Sequence, residues 1–304
     1  MSSELTEFFQ QLFNALRISG IYALVALGIT VIFGLTGIVK FSIGELLTIG
    51  AFLTFSMWDN NRLPYLVAVP LAALCVGALT LLLERVTFRF TLSQPINGFI
   101  VSLGLILVLQ NVVTEAWGGQ PRAIPPLFTQ IWEVGGVRMP AHDWFVIWLT
   151  VAIIVSLFAF LRVSKYGRAI RACAEDRDAA ALMGIPVDWV IAGTFALGGV
   201  LAATAGGLLG SQNVINSYIG ASYLLKGFAV ALVGGLGNIE GAVFAALLLG
   251  TTETMAAGYG DRLTGGAIGL EWRDAYTFAI MILVLLWRPT GLFPARGRLQ
   301  ETLQ

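Results

Sequence analysis

The chain has 304 residues, of which 57% are hydrophobic and 12% charged, and its formal net charge is zero. A soluble globular domain carries roughly 25% charged residues, so this chain has too little polar surface to face water, and lipid is its expected solvent. The neutral charge balance gives no support to a polyanionic partner, which argues against nucleic acid.

At the N-terminus Glu4 and Glu7 precede any basic residue, the wrong sign for a signal peptide. Phe8, Phe9, Leu12, Phe13 and Leu16 recur at helical spacing and predict a short interfacial helix leading into the first span. A spanning helix needs about 20 mainly apolar residues. The apolar runs predict nine, within a range of eight to ten, at about 18–36, 43–58, 64–83, 98–116, 144–161, 189–210, 222–236, 240–257 and 275–288. The fold class is therefore an all-α polytopic membrane protein. The second and seventh runs are short enough to be broken or re-entrant.

Lys and Arg in the connections set the expected orientation. Lys40, Arg85, Arg89, Arg162, Lys165, Arg168, Arg171, Arg177, Arg288, Arg296 and Arg298 fall on one side. Arg62, Arg122, Arg138, Arg262 and Arg273 fall on the other. The richer side is assigned to the cytoplasm, which puts the N-terminus outside and the C-terminus inside. Trp117, Trp132, Trp144 and Trp148 mark an outer loop at 117–143, and four prolines make that loop irregular.

Two Gly-rich stretches, FGLTGIVKFSIGELL at 33–47 and LVGGLGNIEGAVFAALLLG at 232–250, each combine glycines, an acidic residue and an apolar run. Gly34, Gly37, Gly44, Gly234, Gly235 and Gly237 are expected to form structural turns. A faint internal repeat and two unrelated junctions fit equally well.

The longest connection on the assigned cytoplasmic side lies at about 163–188. Glu175, Asp176 and Asp178 sit toward the start of a helical run, Gly184 follows it, and Pro186 comes two residues later. Acid first, then Gly, then Pro is the punctuation of a short helix. Such a helix is unstable alone in water and needs a partner surface. Ala172, Ala179, Ala180, Leu182 and Met183 supply small and apolar contacts. Cys173 in this segment is a handle for an impermeant thiol reagent. It is too far from Cys75 in sequence and character to suggest a disulfide, and with the single His142 the two cysteines make a poor metal site.

DAAALMG, Asp178 to Gly184, resembles the coupling loop of ABC-importer permeases, whose pattern is Glu-Ala-Ala, three residues, then Gly; Asp178 stands where Glu is usual. RACAEDRDAAALMGI, IYALVALGITVIFGLTGIVKFSIGE, the LVGGLGNIEGA run and ILVLLWRPTGLFP are similar, in the same order, to the branched-chain amino-acid permeases of that superfamily. Two positions depart from the pattern: Ile43 stands where His is common and Lys40 where Asn is often found. The resemblance implies a single permease domain over 1–304, a paralogous permease partner, two cytoplasmic ATPases and a periplasmic substrate-binding protein, all in a bacterial inner membrane. It implies that Arg171, Glu175, Asp178, Ala179, Ala180, Gly184 and Ile185 couple to an ATPase. None of the three lysines lies in a Walker A context, so no cofactor is expected on this chain and ATP with Mg belongs to the partners.

Ionisable groups within a membrane are functional candidates by default. Glu45, Lys226, Glu240 and Glu253 qualify, with a structural pair or a boundary position as the competing role. Ser42, Glu45, Gln110, Asn111 and Lys226 are the candidate substrate-pathway residues. Branched-chain amino acids are the first expected substrate, other neutral amino acids the second, and urea or short amides the third. A stand-alone channel or secondary transporter fits the broken helices but leaves the charged segment without a task. GYGD at 258–261 matches one half of an intramembrane aspartyl protease signature; the Tyr-Asp pair that would complete it is missing, and Asp261 is expected in an outer loop.

Overall fold

The computed structural model describes residues 3–60, 62–91, 95–134, 136–263 and 272–294. Among these the chain forms helices α1 (Ser3–Thr36), α2 (Ile43–Asp59), α3 (Tyr65–Val86), α4 (Pro95–Trp117), α5 (Ala141–Val163), α6 (Lys165–Glu175), α7 (Arg177–Leu182), α8 (Val187–Gly210), α9 (Ile219–Gly234), α10 (Ile239–Leu263) and α11 (Arg273–Trp287). A two-stranded antiparallel hairpin, β1 (Ile131–Val134) and β2 (Val137–Pro140), lies between α4 and α5. Six helices, α1, α3, α4, α5, α8 and α10, are long and apolar enough to cross a membrane; α9 and α11 are shorter apolar helices.

Three expectations change. The predicted interfacial helix is the first part of α1, which runs unbroken for 34 residues, or about 51 Å. The irregular outer loop contains the hairpin, with Trp132 opposite Met139 and Glu133 opposite Arg138. GYGD is helical, being part of α10. Arg296 and Arg298, which weigh on the predicted orientation, lie outside the described residues.

The bundle has two ends. At the hairpin end, Gln10 near the start of α1 bonds the backbone of Arg138, and Arg17 pairs with Asp143 at 3.3 Å. The Leu127 amide donates to His142 Nδ1, so the Nε2 proton is available to Ser211 Oγ at 2.9 Å. The Tyr65 hydroxyl donates to the Gly207 carbonyl beside them. This polar knot ties the long loop, α3, α5 and α8 together. At the opposite, α6–α7 end lie the last turn of α1, the start of α10 and the α9–α10 turn.

α2 is the central element. Every residue from Ile43 to Phe52 is buried, against α8 and α3 chiefly, with α9 and α4 completing the wall. It does not start at the level where α1 stops. Ile43 Cδ1 lies 3.2 Å from where a Cβ on Gly28 would be, and Gly28 is eight residues before the end of α1, a depth of about 12 Å. Residues 37–42 therefore climb back into the bundle before α2 begins. Gly37, at φ +70°, makes the reversal.

Close helix approach makes this arrangement possible. A Cβ on Gly44 would lie 2.5 Å from the Gly220 carbonyl oxygen, and one on Gly50 or Gly206 would collide with Ala203 or with the Leu47 carbonyl. Gly34, Gly44 and Gly234 are thus helical contact positions, not turns. Gly37, Gly235 and Gly237 do turn the chain, each at positive φ, which an L side chain resists. The two Gly-rich stretches meet: a Cβ on Gly34 would lie 3.3 Å from Gly237 Cα. Gly206→Val is expected to lower the thermal unfolding midpoint of the detergent-solubilised protein sharply, because a branched side chain cannot enter the α2–α8 contact and overpacking costs about 1–3 kcal/mol or more. A wild-type melting curve for this variant would refute the packing.

Candidate coupling surface and buried polar clusters

The charged segment is two helices rather than one. Ser164 caps α6 by accepting from the Gly167 amide at 2.9 Å. α6 buries Gly167, Ile170 and Cys173 and turns its charged residues outward. Asp176, in extended backbone, ends α6 and caps α7, its Oδ1 accepting from the amides of Asp178 and Ala179 at 2.9 and 3.1 Å. The far end of α7 is closed by Gly184 at φ +81°, with the Ile185 amide donating to Ala180 and the Gly184 amide to Ala181. This is a Schellman ending, and it satisfies carbonyls that a six-residue helix would otherwise leave open.

α7 is held from one side and bare on the other. Ala180 is buried and seats the helix on the bundle. Arg177 donates to the Leu35 carbonyl in the last turn of α1 at 2.6 Å, and Arg171 on α6 donates to the Leu161 carbonyl of α5. The Tyr166 hydroxyl donates toward the Val190 carbonyl of α8 at 2.8 Å. Arg85 stacks 4.0 Å over the Trp189 ring, and Arg89 pairs with Asp188 at 2.8 Å. On the open side Leu182 and Met183 are 89% and 82% exposed. Arg171, Glu175, Asp178 and Ala179 are exposed around them, Gly184 has open space beside it, and Ile185 is half-buried. Seven predicted coupling residues therefore divide: Ala180, Ile185 and, through its bond to Leu161, Arg171 hold the segment, while Glu175, Asp178, Ala179 and Gly184 face outward. Leu182 and Met183 are the most exposed apolar groups of the segment.

Cys173 is a poorer chemical handle than its sequence context suggests. It is buried, and burial pushes its thiol above the ordinary range despite the opposing pull of Arg177. A raised thiol holds less thiolate at neutral pH, and the thiolate is the reactive form. In an otherwise wild-type chain, Cys173 is expected to label much more slowly with a maleimide at pH 7 than a cysteine introduced as Leu182→Cys. Equal rates would show that α6 does not pack as described.

The predicted pathway residues do not form one site. Ser42 and Glu45 lie buried at the start of α2; the Ser42 amide accepts no proton but donates its own to Ser102 Oγ at 2.9 Å. Glu45 Oε2 and Ser42 Oγ lack hydrogen-bond partners among the described residues. Lys40 is buried between two rings, with Nζ 5.1 Å from the centroids of both Phe88 and Phe195. Gln110 and Asn111 are elsewhere, on α4. Asn111 is exposed and bonds the Leu107 carbonyl one turn back at 2.7 Å, and Gln110 is only partly buried.

Lys226 is engaged by two carboxylates, Glu253 at 3.0 Å and Asp274 at 2.7 Å. Glu253 is fully buried and also accepts from the Tyr22 and Thr277 hydroxyls at 2.9 and 2.8 Å. The cluster joins α1, α9, α10 and α11. Glu240, by contrast, is a boundary residue, exposed and paired with Arg162 at 2.7 Å. Sequence reading marks Lys226 and Glu253 as costly groups within apolar runs. Tyr22, Thr277 and Asp274 carry no such signal, because hydroxyls and a helix-start aspartate are common in ordinary helices.

These features coincide with a sequence match along most of the chain. Residues 11–285 match the family model described as the branched-chain amino acid transport system / permease component. The chain belongs to this family. It is 36% identical to the high-affinity branched-chain amino acid transport system permease protein LivH of Escherichia coli K12, over 96% of this chain and 97% of the relative. It is 34% identical to the corresponding protein BraD of Pseudomonas aeruginosa, over 95% and 96%. A more distant match, 27% identical over 90% of this chain and 68% of the relative, is LivM of Salmonella typhimurium, also described as a permease protein of that system. In fold the chain is similar to PsaBC from Streptococcus pneumoniae in complex with Fab, with a TM-score of 0.50 and 13% identity, covering 98% of this chain and 99% of that one. The permease family and the apolar helices together make this a multi-pass membrane protein.

Within this permease the Lys226 cluster gives a direct test. Lys226→Met leaves Glu253 buried without its cation, which is expected to cost about 3–5 kcal/mol. Lys226→Met with Glu253→Gln removes both charges and is expected to recover part of that loss in thermal unfolding. A double variant no more stable than Lys226→Met would show that the two charges are not energetically coupled.

Proposed function

We propose that this chain is the transmembrane permease subunit of an ATP-driven ABC importer for branched-chain or other neutral amino acids. It moves substrate delivered by a periplasmic binding protein into the cytoplasm and hydrolyses nothing itself; ATP and Mg are bound by two separate ATPase subunits. The observation that carries this reading is the α6–α7 segment: a capped short helix, anchored to three long helices, whose open side exposes Leu182 and Met183. A stand-alone channel has no use for such a surface. In this reading α6–α7 faces the cytoplasm, nine helices cross the inner membrane, the N-terminus is outside and the C-terminus inside, and 1–304 is one domain.

The anchors suggest how force is passed on. α7 holds α1 through Arg177, α6 holds α5 through Arg171, and α8 follows directly after Pro186. A displacement of α7 by a moving ATPase therefore acts on α1, α5 and α8 together. α8 and α1 pack on α2, so the displacement reaches the core of the bundle, where Ser42 and Glu45 lie. Glu175, Asp178, Ala179 and Gly184 would meet the ATPase, with Arg171, Ala180 and Ile185 as the seat that couples its motion to the bundle. A second, paralogous permease chain completes the transporter in this reading, in line with the separate LivH and LivM chains among the relatives. Gln110 and Asn111 are polar groups on the outward side of α4, where burial against that second chain or a polar pathway between the two would relieve the cost of placing Asn in lipid.

The test is co-purification in mild detergent from native membranes, followed by ATPase assay with candidate amino acids and their binding protein. A second permease and ATPase subunits are expected in the eluate. Leu182→Glu is expected to remove the ATPase subunits while leaving membrane insertion intact. Gly184→Pro is expected to abolish uptake, because proline can adopt neither φ +81° nor donate the amide that closes α7. Wild-type uptake in both variants, or transport by this chain reconstituted alone, would overturn the proposal.

A further inference from the structure

A cavity of ≈ 810 Å³ opens at the α6–α7 end of the bundle, between the end of α5, the side of α6, the start of α10 and the segment after α11. Its walls are of two kinds. Phe158, Leu161, Ile239 and Phe293 make an apolar floor, and the guanidinium-bearing side chains of Arg162 and Arg171 line it with Glu240. The cavity sits where two long apolar helices end, α5 at Val163 and α10 at Ile239, which is the depth at which headgroups meet hydrocarbon. A second observation concerns charge. Arg162, Lys165, Arg168 and Arg171 recur every third residue from the end of α5 along α6, and all four are exposed. Four cations in the last turn of a long apolar helix and directly beyond it are an electrostatic signature of anionic-lipid binding.

From the cavity and this row of cations together we infer that the α5–α6–α10 cavity is a binding site for one anionic phospholipid. The phosphate sits between Arg162 and Arg171, and an acyl chain lies along Phe158, Leu161 and Phe293. A guanidinium has five N–H donors. Arg171 commits one nitrogen to the Leu161 carbonyl and Arg162 one to Glu240, so both retain donors for phosphate oxygens. A free phosphate would make no use of the apolar floor, whereas a lipid uses both walls. Glu240 is the carboxylate within the cavity lining, and it competes with the phosphate for Arg162. The site is separate from the exposed tip of α7 and does not depend on which membrane face it occupies.

The experiment uses the complex purified with its partner subunits in nanodiscs containing phosphatidylglycerol with a photoreactive diazirine on one acyl chain, or the matching phosphatidylethanolamine. Mass spectrometry maps the labelled peptides. Phosphatidylglycerol is expected to label peptides within 158–171 and 237–244 in preference to phosphatidylethanolamine. Arg162→Gln is expected to reduce that labelling about fivefold, the factor that one cation near an anionic surface contributes. Glu240→Gln is expected to raise it, since it removes the competing carboxylate; this gain cannot come from misfolding and stands even if Arg162→Gln assembles poorly. Equal labelling by the two lipids, no increase with Glu240→Gln, or labelling that falls outside peptides 158–171 and 237–244 would overturn the inference.

Discussion

In hydrocarbon, helices gain little from hiding apolar side chains, because lipid tails are as apolar as leucine. What draws them together is close packing and the hydrogen bonds it permits. This structure depends on one such contact set, the approach of α2 to its neighbours at Gly44, Gly50, Gly206 and Gly220. Without it α2 could not occupy the middle of the bundle, and residues 37–42 would have no reason to turn back beside α1. The same approach lets Thr48 Oγ1 accept from the Gly220 amide at 3.0 Å, which satisfies a backbone group at the start of α9 where neither water nor a helical carbonyl is available.

Placement of α2 then determines where polar groups can be tolerated. Ser42 and Glu45 are enclosed by the protein's own helices, and Lys40 rests between two phenyl rings, an arrangement that gives an ammonium some electrostatic return for its lost water. Lys226 and Glu253 meet instead within the outer layer formed by α9, α10 and α11, each with further partners. The difference in satisfaction is physically informative. A carboxylate with three donors around it is suited to fixing helices in place. Glu45, by contrast, has one oxygen without a hydrogen-bond partner among the described residues, so it adds no such cross-link.

The α6–α7 segment links this interior to the surface. Its caps at Ser164, Asp176 and Gly184 allow two short helices to persist at one end of the bundle, and its arginines tie them to carbonyls at the ends of α1 and α5. A row of bonds to backbone, not to side chains, means that the segment follows the helices themselves. The same stretch of chain presents an apolar tip on α7 and a cationic edge on α6.

Much of this was legible in the amino-acid order. Composition pointed to lipid as the solvent, apolar run length marked the six helices long enough to cross a membrane, and the Asp176, Gly184 and Pro186 punctuation located α7, because those signals are local and their causes act within one turn of helix. The continuity of α1 was missed because Glu4, Glu7 and Arg17 interrupt the apolar run, although a helix can extend beyond the bilayer. Gly34, Gly44 and Gly234 read as turns because glycine serves both turning and close approach, and only the neighbour decides which. Likewise Gln110 and Asn111 resemble Ser42 and Glu45 in sequence, yet α4 lies at the edge and α2 at the centre. The sequence by itself determined the helical class, the apolar core of each long helix and the capped end of α7. Tertiary structure alone decided which polar residues share a site, because contact between α1, α9, α10 and α11 is set by how helices distant in the chain pack, and no local signal encodes it.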